Sequence, residues 1–234
     1  MRRASKPASF RSSSVRLPTM GSSSTTMTWL AMRPLFYIIS LMRILAGEHR
    51  GRPFKSVPKS LPVKPISSRI KKSLFDILRP WLAGAKFLDL YAGTGSVGLE
   101  ALSRGAESAF FVDRDKRCLA VIEENLKSLG AAGRGRTSYG DVLQDLSWIP
   151  YRAGVAAFDV IFLGPPYRDE EDRPLAYSTS SLARVIEAGL PAPQALVILQ
   201  HHVKEDVQVP AGWERFRREK YGDTFMDFHR RAAP

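Results

Sequence analysis

Three carboxylates around a glycine loop define the chemistry open to this chain. Gly93, Gly95 and Gly98 spell G-x-G-x-x-G within "DLYAGTGSVGLEAL", residues 89–102, and Asp113 follows 20 residues after Gly93 at the end of a second apolar run. Taken alone, this is a dinucleotide fingerprint, in which glycine amides and a helix N-terminus face a pyrophosphate. Asp89, four residues before Gly93, changes that reading. A carboxylate aimed into the loop opposes a pyrophosphate and suits a ligand with an ammonium group. S-adenosylmethionine has that ammonium, a sulfonium and no phosphate. Asp113 can take two ribose hydroxyls, and Asp141, in "YGDV", is placed to meet an adenine amino group. Three acids at successive strand ends fit a cationic nucleoside better than a dinucleotide, although Asp113 and Asp141 could instead cap helices.

A second stretch, "FLGPPYRDE", ends an apolar run in Gly164-Pro165-Pro166-Tyr167. It resembles the (Asp/Asn)-Pro-Pro-(Tyr/Phe) loop of amino-group methyltransferases. An exocyclic amine is a weak nucleophile because its lone pair is delocalised into the ring. Two oxygen acceptors can bind its hydrogens and leave the lone pair pointing at the methyl group. One is a carbonyl of the Pro-Pro segment, and the aromatic ring stacks on the base, a contact worth ~1–3 kcal/mol. The same residues could also form a rigid turn with a packing tyrosine.

The elements that must hold these residues alternate between strand and helix. The pattern predicts an amphipathic helix over 69–78 with Ser67 or Ser68 as its cap and Pro80 near its end. A short strand "KFLDL" leads into the glycine loop and a helix closed by Gly105, followed by a strand "SAFFVD", a helix ending at Gly130 and a strand in "RTSYGD". "FDVIFLGPPY" is a strand running into the Pro-Pro loop, "LARVIEAGL" a helix, "ALVILQHH" a strand, and "WERFRREKYGDTFMDFHRR" a hairpin turning at Gly222-Asp223. Such alternation implies an α/β fold with a doubly wound parallel sheet and ligands at the strand carboxyl ends. The single cysteine, Cys118, excludes an internal disulfide and a cysteine-rich zinc site and reads as apolar filler; no metal is expected. His201 and His202 end a strand near the pocket mouth and read as satisfied or solvent-facing rather than as catalytic bases.

Charge is distributed unevenly. Of the net +12, residues 1–72 hold 15 Lys/Arg and one acid, Glu48, whereas residues 73–234 hold 20 Lys/Arg and 22 acids. A basic module attached to a near-neutral catalytic one points to a nucleic-acid substrate. Residues 1–41 read as a disordered, targeting or untranslated extension: they are rich in Ser and Arg, and "PLFYIISLM" spans nine residues where a membrane helix needs ~20. A start at Met42 removes six positive charges and leaves +6. Residues 42–72 form the basic RNA-contacting segment, with Arg50, Arg52, Lys55, Lys64, Arg69, Lys71 and Lys72 expected on phosphates, and 73–234 the catalytic domain.

From Met42 to about Arg231 the chain resembles the RsmD family of 16S rRNA guanine-N2 methyltransferases. The resemblance rests on "MRILAGEHRGRPF", "RIKKSLFDIL", "FLDLYAGTGSVGLEALSRGA", "FVDRD", "NLKSLG", "FDVIFLGPPY" and "YGDTFMDFHRR", in that order. It implies a class I S-adenosylmethionine-dependent (Rossmann-like) methyltransferase fold, mostly parallel with a C-terminal antiparallel hairpin. It also implies 16S rRNA as substrate, presented on an assembling small ribosomal subunit, and a cytoplasmic monomer, or an organellar one if residues 1–41 are a transit peptide. Tyr91, Thr94 and Val142 complete the expected cofactor set with the three glycines and three acids. The resemblance places Asp where this chain has Gly164, so the side-chain acceptor for the guanine amine is missing; Asp169 or Asp159 is the candidate replacement. In "KPISSRIKK" the family pattern matches Lys64, Pro65, Ser67 and Arg69 but not Ile66, Ser68 and Lys72. A DNA amino-methyltransferase would need a target-recognition region that the sequence does not show; a non-catalytic RNA-binding or assembly factor on the same fold is the other alternative.

Overall fold

Apolar runs and their turn residues set the order of elements. In the computed structural model, which describes residues 41–58, 61, 63, 65–169, 171 and 173–233, this order is β1 (Leu41–Arg43), β2 (Pro53–Lys55), α1 (Ser68–Leu78), a 3-10 turn (Arg79–Trp81), β3 (Lys86–Leu90), α2 (Ser96–Ser103), β4 (Ser108–Asp113), α3 (Lys116–Leu129), β5 (Gly135–Tyr139), α4 (Ile149–Ala153), β6 (Phe158–Leu163), α5 (Ser178–Glu187), β7 (Pro191–His202), β8 (Trp213–Tyr221) and β9 (Thr224–Arg231). The caps are those the residue types dictate. Ser67 accepts the Ile70 amide at the start of α1, Asp115 accepts the Arg117 amide at the start of α3, and Gly130 ends α3 in the left-handed region.

Seven strands form one sheet in the order β5-β4-β3-β6-β7-β9-β8. β3 to β7 are parallel, and β9 inserts antiparallel between β7 and β8, with the turn at Gly222-Asp223. The parallel sheet and terminal hairpin agree with the expected α/β architecture. Strand order reverses between β3 and β6, which opens a crevice at their carboxyl ends, the place where such sheets bind ligands.

Alternation along the strands separates two cores. Phe87, Phe111, Phe162, Ile198 and Phe228 face one side with Phe75 and Leu99, whereas Leu88, Val112, Leu163, Val197 and Leu199 face the other with Leu182. Each such burial contributes ~1.5–3 kcal/mol. Cys118 is fully buried beside Val57 and Leu61 and is packing filler.

The basic N-terminal segment belongs to this core rather than to a separate module. β1 and β2 form a two-stranded antiparallel sheet that the sequence pattern did not reveal, and Ile44 and Phe54 are buried in the first core. The loop between them is fastened to α2. The Leu45 and Ala46 amides donate to the Glu100 carboxylate at 2.9 and 3.0 Å, and the His49 amide donates to Ser103 Oγ at 3.0 Å. A boundary at residue 72 falls inside α1, so the expected division between a 42–72 segment and a 73–234 domain does not describe the packing. The expected extension, apart from Leu41, lies outside the described residues.

Candidate active site at the strand carboxyl ends

The glycine loop is built by close approach. After β3 the chain turns at Tyr91, whose φ of 60° makes it the one non-glycine residue with positive φ among the described residues. Strain of this kind concentrates at functional sites. The Tyr91 hydroxyl hydrogen-bonds Ser181 Oγ at 2.7 Å, which ties the loop to α5, and burial pushes its pKa up to about 12. Gly95 takes the left-handed conformation that starts α2, at φ 71°. Gly98 is required by space: a Cβ there would lie 2.3 Å from the Phe111 ring.

The destination of the loop amides decides the ligand class. The Gly98 amide donates to Asp89 Oδ2 at 2.9 Å, the Gly93 amide to Asp113 Oδ2 at 2.7 Å, and the Gly95 amide to the Ala92 carbonyl. Two donors of a pyrophosphate cradle are thus already bonded to carboxylates. Asp89 is 1% exposed, and burial pushes its carboxyl up to about 8. It lines a pocket with Val63, Tyr91, Gly93, Thr94, Phe162 and Gly164. A buried acid bordering a pocket fits a cationic group and rejects a phosphate. The residues present therefore fit the ammonium of S-adenosylmethionine.

The other expected acids follow along the sheet edge. Asp113 ends β4, its Oδ1 accepting the Asp115 amide at 2.8 Å, and burial pushes its carboxyl upward. Asp141 follows β5, where Oδ1 accepts the Leu143 amide at 3.0 Å, so one oxygen already serves a local turn. Val142 is buried in the second core, so its side chain packs rather than binds. Asp89, Tyr91, Gly93, Thr94 and Gly164 share the pocket, while Gly95 and Gly98 shape the turn behind it.

Of the Gly-Pro-Pro-Tyr loop, Gly164 lines this pocket, whereas Pro165, Pro166 and Tyr167 are not among its lining residues. The Gly164 amide donates to the Leu90 carbonyl at 3.4 Å, Pro165 is buried, and Tyr167 is half-buried. The Tyr167 hydroxyl donates to Thr224 Oγ1 at 3.3 Å and accepts from Gln200 Nε2 at 2.9 Å, while the ring meets His202 edge-on at 5.9 Å. Both carboxylates expected to stand in at Gly164 are engaged elsewhere. Asp159 sits at the start of β6, at the far end of the strand from Gly164, and accepts the Lys86 amide at 2.8 Å. Asp169 is held by the Glu171 and Arg173 amides and by the Arg173 guanidinium at 2.6 Å.

Of the seven expected phosphate contacts, the structure relocates several. Lys71 is 1% exposed; its Nζ lies 3.5 Å from the buried Glu100 carboxylate, and burial lowers its pKa. It therefore holds α1 against α2 and cannot meet RNA. Amphipathic spacing hides this, because only the tertiary packing supplies Glu100 as its partner. Lys55 pairs with Glu124 and Lys72 with Asp76, each at 2.8 Å, and Arg52 bonds the Ser128 and Leu129 carbonyls. Arg50 and Arg69 are exposed without an ion pair among the described residues; Lys64 lies outside them. His201 is fully buried, 3.1 Å from Asp227 Oδ2, and so is satisfied rather than catalytic. Sequence reading missed Gln200, Val63 and Phe162 in the pocket; for Gln200, the signal was a polar residue closing an apolar strand.

Residues 42–230 match the family described as Conserved hypothetical protein 95. Over 193 residues the chain is 31% identical to Ribosomal RNA small subunit methyltransferase D of Escherichia coli (strain K12), covering 82% of this chain and 91% of that protein. The chain belongs to the RsmD family. The solved structure of the Escherichia coli protein yhhF superposes with a TM-score of 0.67 at 28% identity, covering 83% of this chain and 99% of that chain. The RsmD fold extends to more distant methyltransferase structures. SMU.776, solved as a complex with SAH, shares it at 15% identity and a TM-score of 0.50, over 66% of this chain and 48% of that one.

Proposed function

We propose that this chain transfers a methyl group from S-adenosylmethionine to the exocyclic N2 of a guanine in small-subunit rRNA, on an assembling ribosomal subunit. One observation carries the reading. The loop amides that would hold a pyrophosphate are bonded to Asp89 and Asp113, and the pocket that Asp89 lines reaches Gly164 of the Pro-Pro-Tyr loop. Membership of the RsmD family supports rRNA as the substrate.

S-adenosylmethionine supplies an activated methyl on a sulfonium. Asp89 holds the ammonium end, Asp113 the ribose hydroxyls, and Asp141 the adenine amine. A carbonyl of Pro165 or Pro166 accepts one hydrogen of the guanine amine, and the Tyr167 ring, fixed through its hydroxyl, stacks on the base. The leaving group is neutral, so orientation and proximity do most of the work. Arg50 and Arg69, exposed and without an ion pair among the described residues, are the cations for phosphates. Gly164 favours a second reading, an RNA-binding assembly factor that kept the fold without the reaction. Purified protein incubated with labelled methyl donor and undermethylated small subunits, followed by mapping of the modified base, tests both. Label on a guanine N2 supports transfer, and binding without label supports the second reading.

A further inference from the structure

Gly164 directly follows the end of β6, and Gln200 lies near the carboxyl end of the neighbouring strand β7. β6 and β7 run parallel with Leu163 beside Leu199, so Gly164 and Gln200 stand one step further on, their Cα atoms roughly 5 Å apart. Two residues earlier on each strand, Phe162 and Ile198 face the first core. Side chains alternate, so positions 164 and 200 project to that same face. A Cβ built on Gly164 does so, landing 3.1 Å from Phe162 Cε1. Gly164 and Gln200 line one pocket with Asp89.

The Gln200 amide has a fixed direction. Asp223 Oδ1 accepts from Thr224 Oγ1 at 3.5 Å, Thr224 Oγ1 accepts from the Tyr167 hydroxyl, and Tyr167 therefore has only an acceptor left for Gln200. Only the amide nitrogen can donate to it. Oε1 is left with no protein donor among the described residues, on a side chain that lines the pocket.

We infer that Gln200 Oε1 accepts an N2–H of the target guanine and takes the place of the side-chain oxygen that Gly164 lacks. The inference rests on the methyl-transfer reading above. With one N2–H on a Pro-Pro carbonyl and the other on Gln200, the N2 lone pair is directed at the methyl carbon. The N2–C bond forms as the C–S bond breaks, the electron pair stays on sulfur, and N2 then releases one proton to water. An amide does not take that proton, so Gln200 orients the amine and is not a base.

Gln200→Met keeps length and removes the acceptor, Gln200→Glu keeps an acceptor, and Gly164→Asp restores the oxygen on the neighbouring strand. Gly164 has no positive φ, so Asp is admissible there once the Phe162 ring gives by a few tenths of an ångström. In single-turnover transfer to undermethylated small subunits, Gln200→Met is expected to fall about 10²–10³-fold, as for loss of one preorganised hydrogen-bonding group. Its SAH affinity should stay within about twofold, Gln200→Glu should stay within about tenfold of the native rate, and Gly164→Asp/Gln200→Met should regain at least about tenfold. A second readout needs no transfer. The SAH-loaded protein should prefer an RNA fragment with guanosine at the mapped position over one with inosine, which lacks the amine, and Gln200→Met should lose that preference. An unchanged rate and preference in Gln200→Met overturn the inference and leave the methyltransferase reading standing. A fall that Gly164→Asp does not rescue means that Gln200 merely braces Tyr167, which also overturns it. Transfer by Gly164→Asp but not by the native chain shows that nothing replaces the missing oxygen, and overturns it as well. Transfer by neither removes the methyltransferase reading and the inference together.

Discussion

An ammonium contact at Asp89, as proposed above, would make cofactor binding a proton-linked event. The Asp89 carboxyl is pushed up to about 8 by burial, against an ordinary value of 3.8, so at pH 7 it is protonated in roughly nine molecules of ten. An ammonium group placed against it favours the ionised form, and binding must then release that proton. Affinity then rises with pH, because ionisation costs less as pH approaches the carboxyl's own value. If the bound-state value falls well below 6, the free-protein titration alone gives a gain of about ninefold between pH 6 and pH 7, close to the limit of 1.4 kcal/mol per unit. The ammonium of the ligand stays charged throughout that interval, so the comparison isolates the carboxylate. Titration calorimetry with SAH at pH 6 and 7, in buffers of different ionisation enthalpy, should show about 0.9 proton released per ligand at pH 7. Asp89→Asn should abolish both the release and the slope. At pH 7 it should also weaken binding by about 1.5–3 kcal/mol, the value of a charge-assisted hydrogen bond. Flat affinity between pH 6 and 7 with no buffer-dependent heat would refute an ammonium contact at Asp89.

Lys71→Met should lower stability by on the order of 3 kcal/mol, because it strips a buried partner from Glu100, while the salt slope of RNA binding stays unchanged. Neutralising Arg50 and Arg69 should do the reverse, reducing the log–log slope by about 0.7–0.9 per lost phosphate contact with the thermal midpoint held; a fixed slope would make them a solvated face. Gly98→Ala forces a Cβ to 2.3 Å from the Phe111 ring and should cost about 1–3 kcal/mol, a fall of roughly 2–12 °C in Tm by calorimetry. Burial pushes His229 down to about 4, so the unfolded chain takes up a proton at higher pH than the folded one does. Stability should drop by about 3 kcal/mol as pH falls from 6.5 to 4, and His229→Leu should flatten urea midpoints across that window. Below it Asp227 continues the loss, since its bonds to Arg218 and His201 outweigh burial and hold its carboxyl well below the usual range.

The sequence by itself determined the ligand class and the fold, because both depend on local order. Glycine spacing, apolar runs of strand length and acids just past them are set by neighbours in the chain, and the sheet, the hairpin at Gly222-Asp223 and the α3 end at Gly130 follow that pattern. Tertiary structure alone decided who meets whom. Lys71 looked like one more basic residue until α2 brought Glu100 beneath it, and the N-terminal segment looked detachable until the Glu100 carboxylate took the Leu45 and Ala46 amides. Asp159 and Asp169 were plausible neighbours of Gly164 only along the chain; one lies at the opposite end of β6 and the other is engaged by Arg173. Gln200 is 36 positions from Gly164, and no local rule joins them. Their pairing is fixed by the register of two parallel strands joined through a crossover helix, a long-range fact in which a shift of one residue would turn Gln200 to the other face of the sheet.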